Sequence, residues 1–400
     1  MARANRPAAK GPLAEAPNKE GVVTSMKKTI ALLLTMCLVL CGCSELIPAR
    51  TTVESESARL AAQAAATQAT TAATTEPTTE ATTEPPTEPE PVYFNPLNGE
   101  ILDEPFNKRI FAVSINNLRD AVPHSNVGNA DLYFETFVNG SIIRGLAMYT
   151  DPSGMEAIGP VRSNRMVFND LCKHYDAVMV HAGGDYRVIQ DTSNQGLDNF
   201  NIDAWGIMDL TSFRDQDRVK RGVGWEHTLF AIGDGLIEYS RQNGIRLESD
   251  PDMDYQLLFA DDAIPADGVE ATDIGITITV NRYKKDTRMV YDPGLDKYVY
   301  NQYDKEMIDE RSGEKEAFRN VLILMGTIPY DGAFQRPDLL TGGEGWFACG
   351  GKAVPITWGS DSQDSPLWLR TADGEPLVLG RGNTYIAITQ TGSAITGIGE

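Results

Sequence analysis

The sequence predicts an α+β fold, with a mixed α/β N-terminal domain at residues 93–250 and a mostly antiparallel β C-terminal domain at residues 251–400. In the first region, apolar runs of strand length alternate with segments of helical spacing. In the second, short β-rich runs follow one another, separated by turns such as Asp373-Gly374. These roughly 300 residues exceed what one hydrophobic core usually organises, and Asp250-Pro251 marks the domain boundary.

The elements of both domains are predicted from local patterns. The predicted strands of the N-terminal domain are residues 110–115, 131–138, 142–150 and 177–180. Residues 165–174 predict a helix with one apolar face, and residues 227–242 predict another helix, which Gly244 terminates. The predicted strands of the C-terminal domain are residues 274–280, 288–291, 297–300, 321–325, 345–348, 353–358, 367–370, 376–379 and 384–388.

Residues 26–42 have the pattern of a bacterial lipoprotein signal peptide. Two lysines precede an apolar run at residues 29–40, which is shorter than the ~18 residues that span a membrane. The 25 residues upstream are polar and lack periodicity. We therefore predict that residues 1–25 are a misassigned start extension and that Met26 is the initiator.

Cys43 is the predicted lipidation site. The residue before it, Gly42, is small, whereas Leu40, which precedes Cys41, is not. Acylation of Cys43 with a diacylglyceryl group and palmitate would anchor the chain to the outer face of the cell membrane, facing the cell wall. The predicted partner at this end of the chain is therefore the membrane.

Residues 43–92 predict a disordered tether between this anchor and the folded domains. The segment consists mainly of Ala, Thr, Glu and Pro and has almost no aromatic residues. Such a composition buries too little apolar surface to fold. Fully extended, a tether of this length reaches on the order of 140 Å.

The charge and cysteine content exclude several classes of protein. The formal net charge of -21 opposes binding of nucleic acid, which depends on Lys and Arg. Cys172 and Cys349 predict buried free thiols, with a disulfide between them as the alternative. The sequence has no spacing typical of a metal site and indicates no cofactor.

The segment at residues 159–165 places Arg162 and Arg165 at a turn that leads into a helix. A helix N-terminus with two arginines favours an anion-binding site, and Ser163 or Asn164 is positioned to cap that helix. The alternative is structural. In it, the arginines form ion pairs with carboxylates such as Glu135, Asp170 and Asp176.

A second group of polar residues follows the buried strand at residues 177–180. His181 is a candidate general base or metal ligand, and Gly183 and Gly184 would let backbone N–H groups approach a ligand. A structural, hydrogen-bonded histidine is the alternative. A nucleophile pair of Ser163 with His181 lacks the G-x-S-x-G context. His227 is a second candidate site residue or a helix cap.

Further polar residues lie on the neighbouring strands. Glu135 and Arg144 predict either an acid tuned by a cation or, more simply, a cross-strand salt bridge. Asn116 and Asn117 end a strand, where they are positioned to bind a polar ligand or to form the next turn. The tryptophans of the C-terminal domain predict a sugar-stacking face or core packing; they are Trp346, Trp358 and Trp368.

Several of these motifs occur together, in the same order, in the YerB-like bacterial lipoproteins. The chain resembles this family across residues 93–395, and Gly-Pro-Val-Arg-Ser at residues 159–163 is the most specific part. The other segments that carry the resemblance include Asn-Pro-Leu-Asn-Gly at 95–99, Val-Ser-Ile-Asn-Asn at 113–117, His-Ala-Gly-Gly at 181–184 and Gly-Trp-Phe at 345–347. The resemblance implies a lipid-anchored envelope protein with paired N- and C-terminal domains and no established reaction.

Three functions remain open from the sequence. The first is a non-enzymatic envelope lipoprotein that binds an anionic wall component or an envelope protein partner. The second is a hydrolase or transferase that acts on a wall or surface polymer, with His181 as the base. The third is a structural envelope lipoprotein with no small-molecule site.

Overall fold

The computed structural model describes residues 91–399. The predicted start extension, the signal peptide, Cys43 and nearly all of the predicted tether lie outside the described residues. Within residues 91–399 the chain is mostly β, with few helices.

The first half of the described chain carries nine strands and all five α-helices that the structure describes. The strands are β1 (Tyr93–Phe94), β2 (Ile101–Leu102), β3 (Phe111–Asn116), β4 (Leu132–Asn139), β5 (Ile142–Tyr149), β6 (Val178–His181), β7 (Asn199–Asn201), β8 (Ser212–Arg214) and β9 (Leu229–Ala231). The helices are α1 (Met166–His174), α2 (Tyr186–Asn194), α3 (Met208–Thr211), α4 (Gln216–Lys220) and α5 (Gly233–Gln242). Two 3₁₀ turns lie at Arg119–Ala121 and Trp225–His227.

The second half of the described chain consists of strands. They are β10 (Leu258–Ala260), β11 (Val269–Glu270), β12 (Asp273–Val280), β13 (Tyr283–Asp292), β14 (Lys297–Gln302), β15 (Lys305–Glu306), β16 (Ala317–Phe318), β17 (Asn320–Gly326), β18 (Gly343–Cys349), β19 (Lys352–Ser360), β20 (Leu367–Thr371), β21 (Val378–Gly380), β22 (Thr384–Gln390) and β23 (Ile395–Thr396). All nine strands predicted for this half correspond to observed strands.

The largest sheet contains strands from both halves of the chain. Its order is β11-β19-β18-β17-β22-β4-β5-β3-β6-β7, with β20 beside β19. Strand β22, near the end of the chain, pairs in parallel with both β17 and β4. The strands β3, β6 and β7 are also mutually parallel, so their carboxyl ends meet at one edge.

A second sheet has the order β15-β14-β13-β12-β23, with β16 beside β14. The sequence of strand β13 explains the formation of this sheet. Buried Lys285, Thr287 and Met289 alternate with exposed residues, as expected for a strand with one buried face. Buried aromatic rings join the two sheets. They are Tyr133 and Tyr385 of the large sheet and Tyr300 and Phe318 of the second sheet.

The second predicted helix begins later than the sequence indicated. Helix α5 starts at Gly233, and residues 225–231 form a 3₁₀ turn and strand β9 instead. Strand β9 pairs with β8, and Ala231 exchanges backbone hydrogen bonds with Ile158. These long-range bonds outweigh local helical spacing. The end of the helix is as predicted, since Gly244 has a φ of +67°.

The two cysteines of the described chain are free and buried, as the sequence predicted. The Cys172 sulfur lies 3.5 Å from the Met179 sulfur. Trp358 is fully buried, so the core interpretation of that tryptophan is also confirmed.

Candidate functional site

The carboxyl ends of β3, β6 and β7 form the edge where most of the predicted site residues lie. Asn116, His181 and Asn201 are the last residues of these three strands. Arg144 on β5 pairs directly with Asn116 and therefore reaches the same edge. In open parallel sheets, this edge is where ligands usually bind.

The segment at residues 158–165 is bonded along this edge. The Arg162 N–H donates to the Ser114 carbonyl at 2.8 Å, and the Ala182 N–H donates to the Arg162 carbonyl at 2.9 Å. The Asn164 N–H donates to the Gly183 carbonyl at 3.0 Å. The motif with Arg162, Ser163 and Arg165 therefore lies against the loop that follows His181.

Helix α1 begins one residue later than predicted. Arg165, not Ser163 or Asn164, occupies the N-cap position, and its side chain forms no capping hydrogen bond. Asn164 instead accepts the Arg165 N–H at 2.7 Å and donates to Asn169 at 2.7 Å. The Arg165 side chain therefore lies at the N-terminus of α1 without capping it.

Three arginines converge at this edge. Arg144 is 2% exposed and Arg165 is 8% exposed, whereas Arg162 is half-buried. Arg144 donates to the Ser163 carbonyl at 2.7 Å, and Arg165 donates to the Asn164 carbonyl at 2.7 Å. The buried Nε of each of the three arginines finds no hydrogen-bond partner in the described part of the chain.

Burial disfavours the charge of all three arginines, and neighbouring arginines add to this effect at Arg144 and Arg165. Burial lowers the pKa of Arg144, and the charges of Arg165 and Arg162 lower it further. Burial, followed by the charge of Arg162, lowers the pKa of Arg165 to about 10. Burial also lowers the pKa of Arg162. Glu226 and Asp203 oppose this shift for Arg162, and Asp185 opposes it for Arg165. Within residues 91–399 these carboxylates pair with other cations and form no ion pair with the arginines.

The carboxylates that the structural alternative assigned to these arginines bind other cations. Asp170 pairs with Arg336 at 2.5 Å, and Asp176 pairs with Arg246 at 2.6 Å. Glu135 pairs with Lys285. No ion pair involves Arg144, Arg162 or Arg165 within residues 91–399. The ion pairs proposed for Arg162 and Arg165 are therefore not formed.

His181 is buried and both of its ring nitrogens are engaged. Nδ1 lies 2.8 Å from the Gly183 carbonyl, and Nε2 lies 3.1 Å from the Asn199 side-chain oxygen. Burial lowers its pKa, and the bonds to Asn199 and Gly183 oppose that shift. Neither nitrogen bonds to Ser163, so the structure does not form the Ser163–His181 pair. His181 fixes the loop after β6.

The two glycines of that loop have different structural causes. Gly183 has a φ of +72°, which favours glycine, and its N–H donates to Asn201 at 2.8 Å. At Gly184, an added Cβ would lie 2.9 Å from the Ile189 side chain, so glycine permits close packing on α2. Asp185 then caps α2 by accepting the Arg187 N–H.

His227 and Asn116 bond to each other on the arginine side of the sheet. The Asn116 Nδ2 donates to the His227 Nδ1 at 2.7 Å, which assigns the ring proton of the neutral histidine to Nε2. Burial lowers the pKa of His227. The Asn116 Oδ1 is buried and forms no hydrogen bond within the described residues.

Glu135 and Asn117 belong to a different cluster, on the opposite face of the sheet. The fully buried Glu135 accepts hydrogen bonds from Asn117 at 2.5 Å, Tyr385 at 2.5 Å and Thr287 at 3.2 Å, besides its ion pair with Lys285. The predicted salt bridge with Arg144 is wrong, because Glu135 pairs with Gly145 while Arg144 pairs with Thr136.

Lys285 is the residue of this cluster that the sequence analysis missed. Burial lowers its pKa, and Glu135 opposes that shift. The available signal was the alternation of β13, which places Lys285 on the same face as Thr287 and Met289.

Across residues 91–399, no three His, Cys, Asp or Glu side chains are arranged to hold a metal ion. In that same part of the chain, the helices are too short or too polar to cross a membrane.

Two family models match the chain. The model described as "Protein of unknown function (DUF3048) N-terminal domain" matches residues 97–246. The model described as "Protein of unknown function (DUF3048) C-terminal domain" matches residues 276–386. Together they take in more than half of the chain.

One curated relative and one solved structure resemble the chain. The relative, from Bacillus subtilis (strain 168), bears the name "Putative lipoprotein YerB" and is 27% identical over 286 residues, which are 70% of this chain and 81% of the relative. The crystal structure of the YerB protein from Bacillus subtilis has a TM-score of 0.63 at 23% identity and covers 76% of this chain and 99% of its own. That structure supports the fold.

Proposed function

The chain belongs to the DUF3048 family, and we propose that it is a lipid-anchored protein of the bacterial cell envelope that binds an anionic wall component at Arg144, Arg162 and Arg165. Three guanidinium groups meet at one sheet edge and form no ion pair within residues 91–399, and this observation carries the proposal. An anionic ligand would add a negative charge beside these groups, and Arg162, the half-buried member, is the one that it would reach first.

The location of the site in the fold supports the same proposal. The arginines lie where β3 and β6 end, and helix α1 begins beside Arg165. The free N–H groups and the dipole of a helix N-terminus favour an anion. Arg144 adds an almost fully buried positive charge from the neighbouring strand.

In this proposal His181 is a positioning residue. It bonds to the Gly183 carbonyl, which also accepts the Asn164 N–H from the arginine segment. The side chain therefore holds the two loops in register and does not act as a base.

The proposed anchor is Cys43, which lies outside the described residues. The name of the Bacillus subtilis relative, "Putative lipoprotein YerB", supports this assignment. A Cys43→Ser change should release the protein from the membrane fraction, whereas Cys41→Ser should leave it bound. Retention of the Cys43→Ser protein would refute the assignment.

The binding proposal is tested by retention on isolated cell walls. The detergent-solubilised full-length protein should bind intact walls and should bind poorly after acid extraction of the anionic polymers. A double variant, Arg162→Gln with Arg165→Gln, should lose retention. The exposed pair Arg282→Gln with Arg288→Gln removes the same charge elsewhere and should leave retention unchanged.

The other two functions predict different results. Equal retention of the wild type and the arginine variant would contradict the proposed site and favour a structural envelope protein. Release of soluble wall fragments, abolished by His181→Gln, would favour a hydrolase or transferase and would contradict the positioning role of His181.

A further inference from the structure

Exposed aromatic rings lie on the segments around the arginine site. Trp205 is 100% exposed, Tyr186 is 76% exposed and Trp225 is 61% exposed. Tyr186 follows the loop after β6, Trp205 follows the end of β7, and Trp225 lies in the 3₁₀ turn that contains His227. Aromatic side chains usually bury their faces, so rings exposed beside a polar site point to a ligand that stacks on them.

Arg214 connects the two tryptophan segments to each other. Its guanidinium carbon lies 4.2 Å from the centre of the Trp225 ring, and it donates to the Trp225 carbonyl at 2.8 Å. It also donates to Asp203 at 2.6 Å, two residues before Trp205. The turn that contains Trp225 also carries His227, which bonds to Asn116, and Asn116 pairs directly with Arg144. This geometry places the Trp225 segment beside the arginines.

The site also has carboxylates at its rim. Asp185, Asp203 and Glu226 are partly exposed, with side-chain exposures of 35%, 38% and 51%. They would accept hydrogen bonds from hydroxyl groups, but they would repel a ligand with closely spaced negative charges. The formal net charge of -21 acts in the same direction. The surroundings therefore favour isolated charges on a hydroxyl-rich ligand.

Resting on the proposed function, we infer that the ligand is an anionic glycan. Its phosphate or carboxylate binds Arg144, Arg162 and Arg165, and its adjoining sugar ring stacks on Trp205 or Trp225. A nucleic acid also offers anions and flat rings, but its phosphates are regularly spaced and the carboxylates at the rim oppose them. The aromatic rings thus add a preference for the sugar to the affinity for the anion.

The test is calorimetric titration of the detergent-solubilised full-length protein with small probes. Glucose 1-phosphate should bind about 3–10-fold more tightly than inorganic phosphate, the range expected for one aromatic stacking contact. The same comparison of glucuronate with acetate tests a carboxylate in place of a phosphate. The anionic group of the ligand is the one for which attachment of the sugar increases the affinity more. Glucose alone should not bind measurably.

The aromatic contribution is tested with Trp205→Ala and Trp225→Ala. At least one of these changes should reduce the affinity for the sugar anion by about 3–10-fold and leave the affinity for inorganic phosphate unchanged. Tyr330→Ala is the matched control, since Tyr330 is 47% exposed and lies on the second half of the chain. It should change neither affinity.

The possible failures are distinguishable. If phosphate and acetate bind but the sugar adds no affinity, the glycan inference is wrong and the anion site remains. If neither tryptophan change affects the sugar anion, the inference is also wrong. If no anion binds, the proposed function itself fails. If adenosine monophosphate binds more tightly than glucose 1-phosphate and depends on the same tryptophan, the ring that stacks is a nucleobase and the glycan inference is wrong.

Discussion

Glu135 and Arg144 lie on neighbouring strands of one hairpin, but their side chains leave opposite faces of the sheet. Glu135 pairs with Gly145, and Arg144 pairs with Thr136. The register shifts between Phe137 and Asn139, where β4 contains one extra residue. Without this bulge, Glu135 would pair with Leu146 and share a face with Arg144, because a shift of one residue reverses the faces.

This bulge divides the polar residues into two sets with different roles. Arg144 lies near Arg162 and Arg165, whereas Glu135 enters the cluster that joins the two sheets through Lys285. The sequence placed both residues correctly on strands, but a one-residue bulge has no signal in a single sequence.

The buried ion pair predicts a strong dependence of stability on both partners. Glu135→Gln or Lys285→Met alone should lower the free energy of unfolding by about 3–5 kcal/mol, because each leaves a charge buried without its partner. The double variant should cost less than the sum of the two changes. Denaturant unfolding measures each value.

An exposed ion pair provides the control for this cycle. Lys220 and Asp217 pair on the surface of α4, where both side chains are more than two-thirds exposed. Lys220→Met should not change the free energy of unfolding measurably. Additive effects of Glu135→Gln and Lys285→Met would contradict the coupling.

Gly145 predicts a second site sensitive to substitution. A Cβ at this position would overlap the Tyr133 phenol ring, which lies across β5. Gly145→Ala should therefore cost about 1–3 kcal/mol through overpacking. Gly294→Ala is the control, since Gly294 is exposed. The atom nearest to an added Cβ there would be an Asp292 carboxylate oxygen, at 3.2 Å. Equal stability of the two variants would contradict the predicted overlap.

The fold was predictable where local pattern and burial agree. Strand β3 is buried at all six positions, and its sequence is a short apolar run. The position of β22 was not predictable in the same way. Its composition predicts a strand, but nothing local indicates that it lies between β17 and β4 in the large sheet. Long-range pairing of this kind depends on the whole chain.

The proposal of an anion site came from the residue types at 162 and 165, but the pairing of their candidate carboxylates was not predictable. Arg246 and Arg336 lie far along the chain from Asp176 and Asp170, which they bind. Only the folded structure shows that these carboxylates are occupied. The exposed aromatic rings were missed because Trp205 and Trp225 lie in segments without periodicity.

His174 predicts a loss of stability on acidification. Burial lowers its pKa to about 4, so between pH 6.5 and pH 4 the unfolded chain takes up a proton that the folded chain does not. Its contribution is fully present above pH 6.5 and is lost as the pH falls toward 4. The shift corresponds to about 3 kcal/mol.

The comparison with His174→Gln isolates this contribution. The free energy of unfolding of the wild type, minus that of the variant, should decrease by about 3 kcal/mol from pH 7 to pH 4. Asp131, whose pKa burial raises to about 6, titrates in both proteins and cancels in the difference. Parallel pH profiles for the two proteins would exclude the effect.

The arginine cluster predicts that its effect on stability reverses when an anion is added. The lowered pKa of Arg165 means that its charge is unfavourable in the folded chain, so Arg165→Gln in chloride should be at least as stable as the wild type. Phosphate at 100 times its dissociation constant should add about 2.7 kcal/mol to the wild type. The variant should gain much less and become the less stable protein.

Arg288→Gln, an exposed control on the second sheet, should respond to phosphate as the wild type does. Thermal unfolding at constant ionic strength measures the stability of each protein in chloride and in phosphate. If the same protein is the more stable one in both salts, the three guanidinium groups do not share an anion.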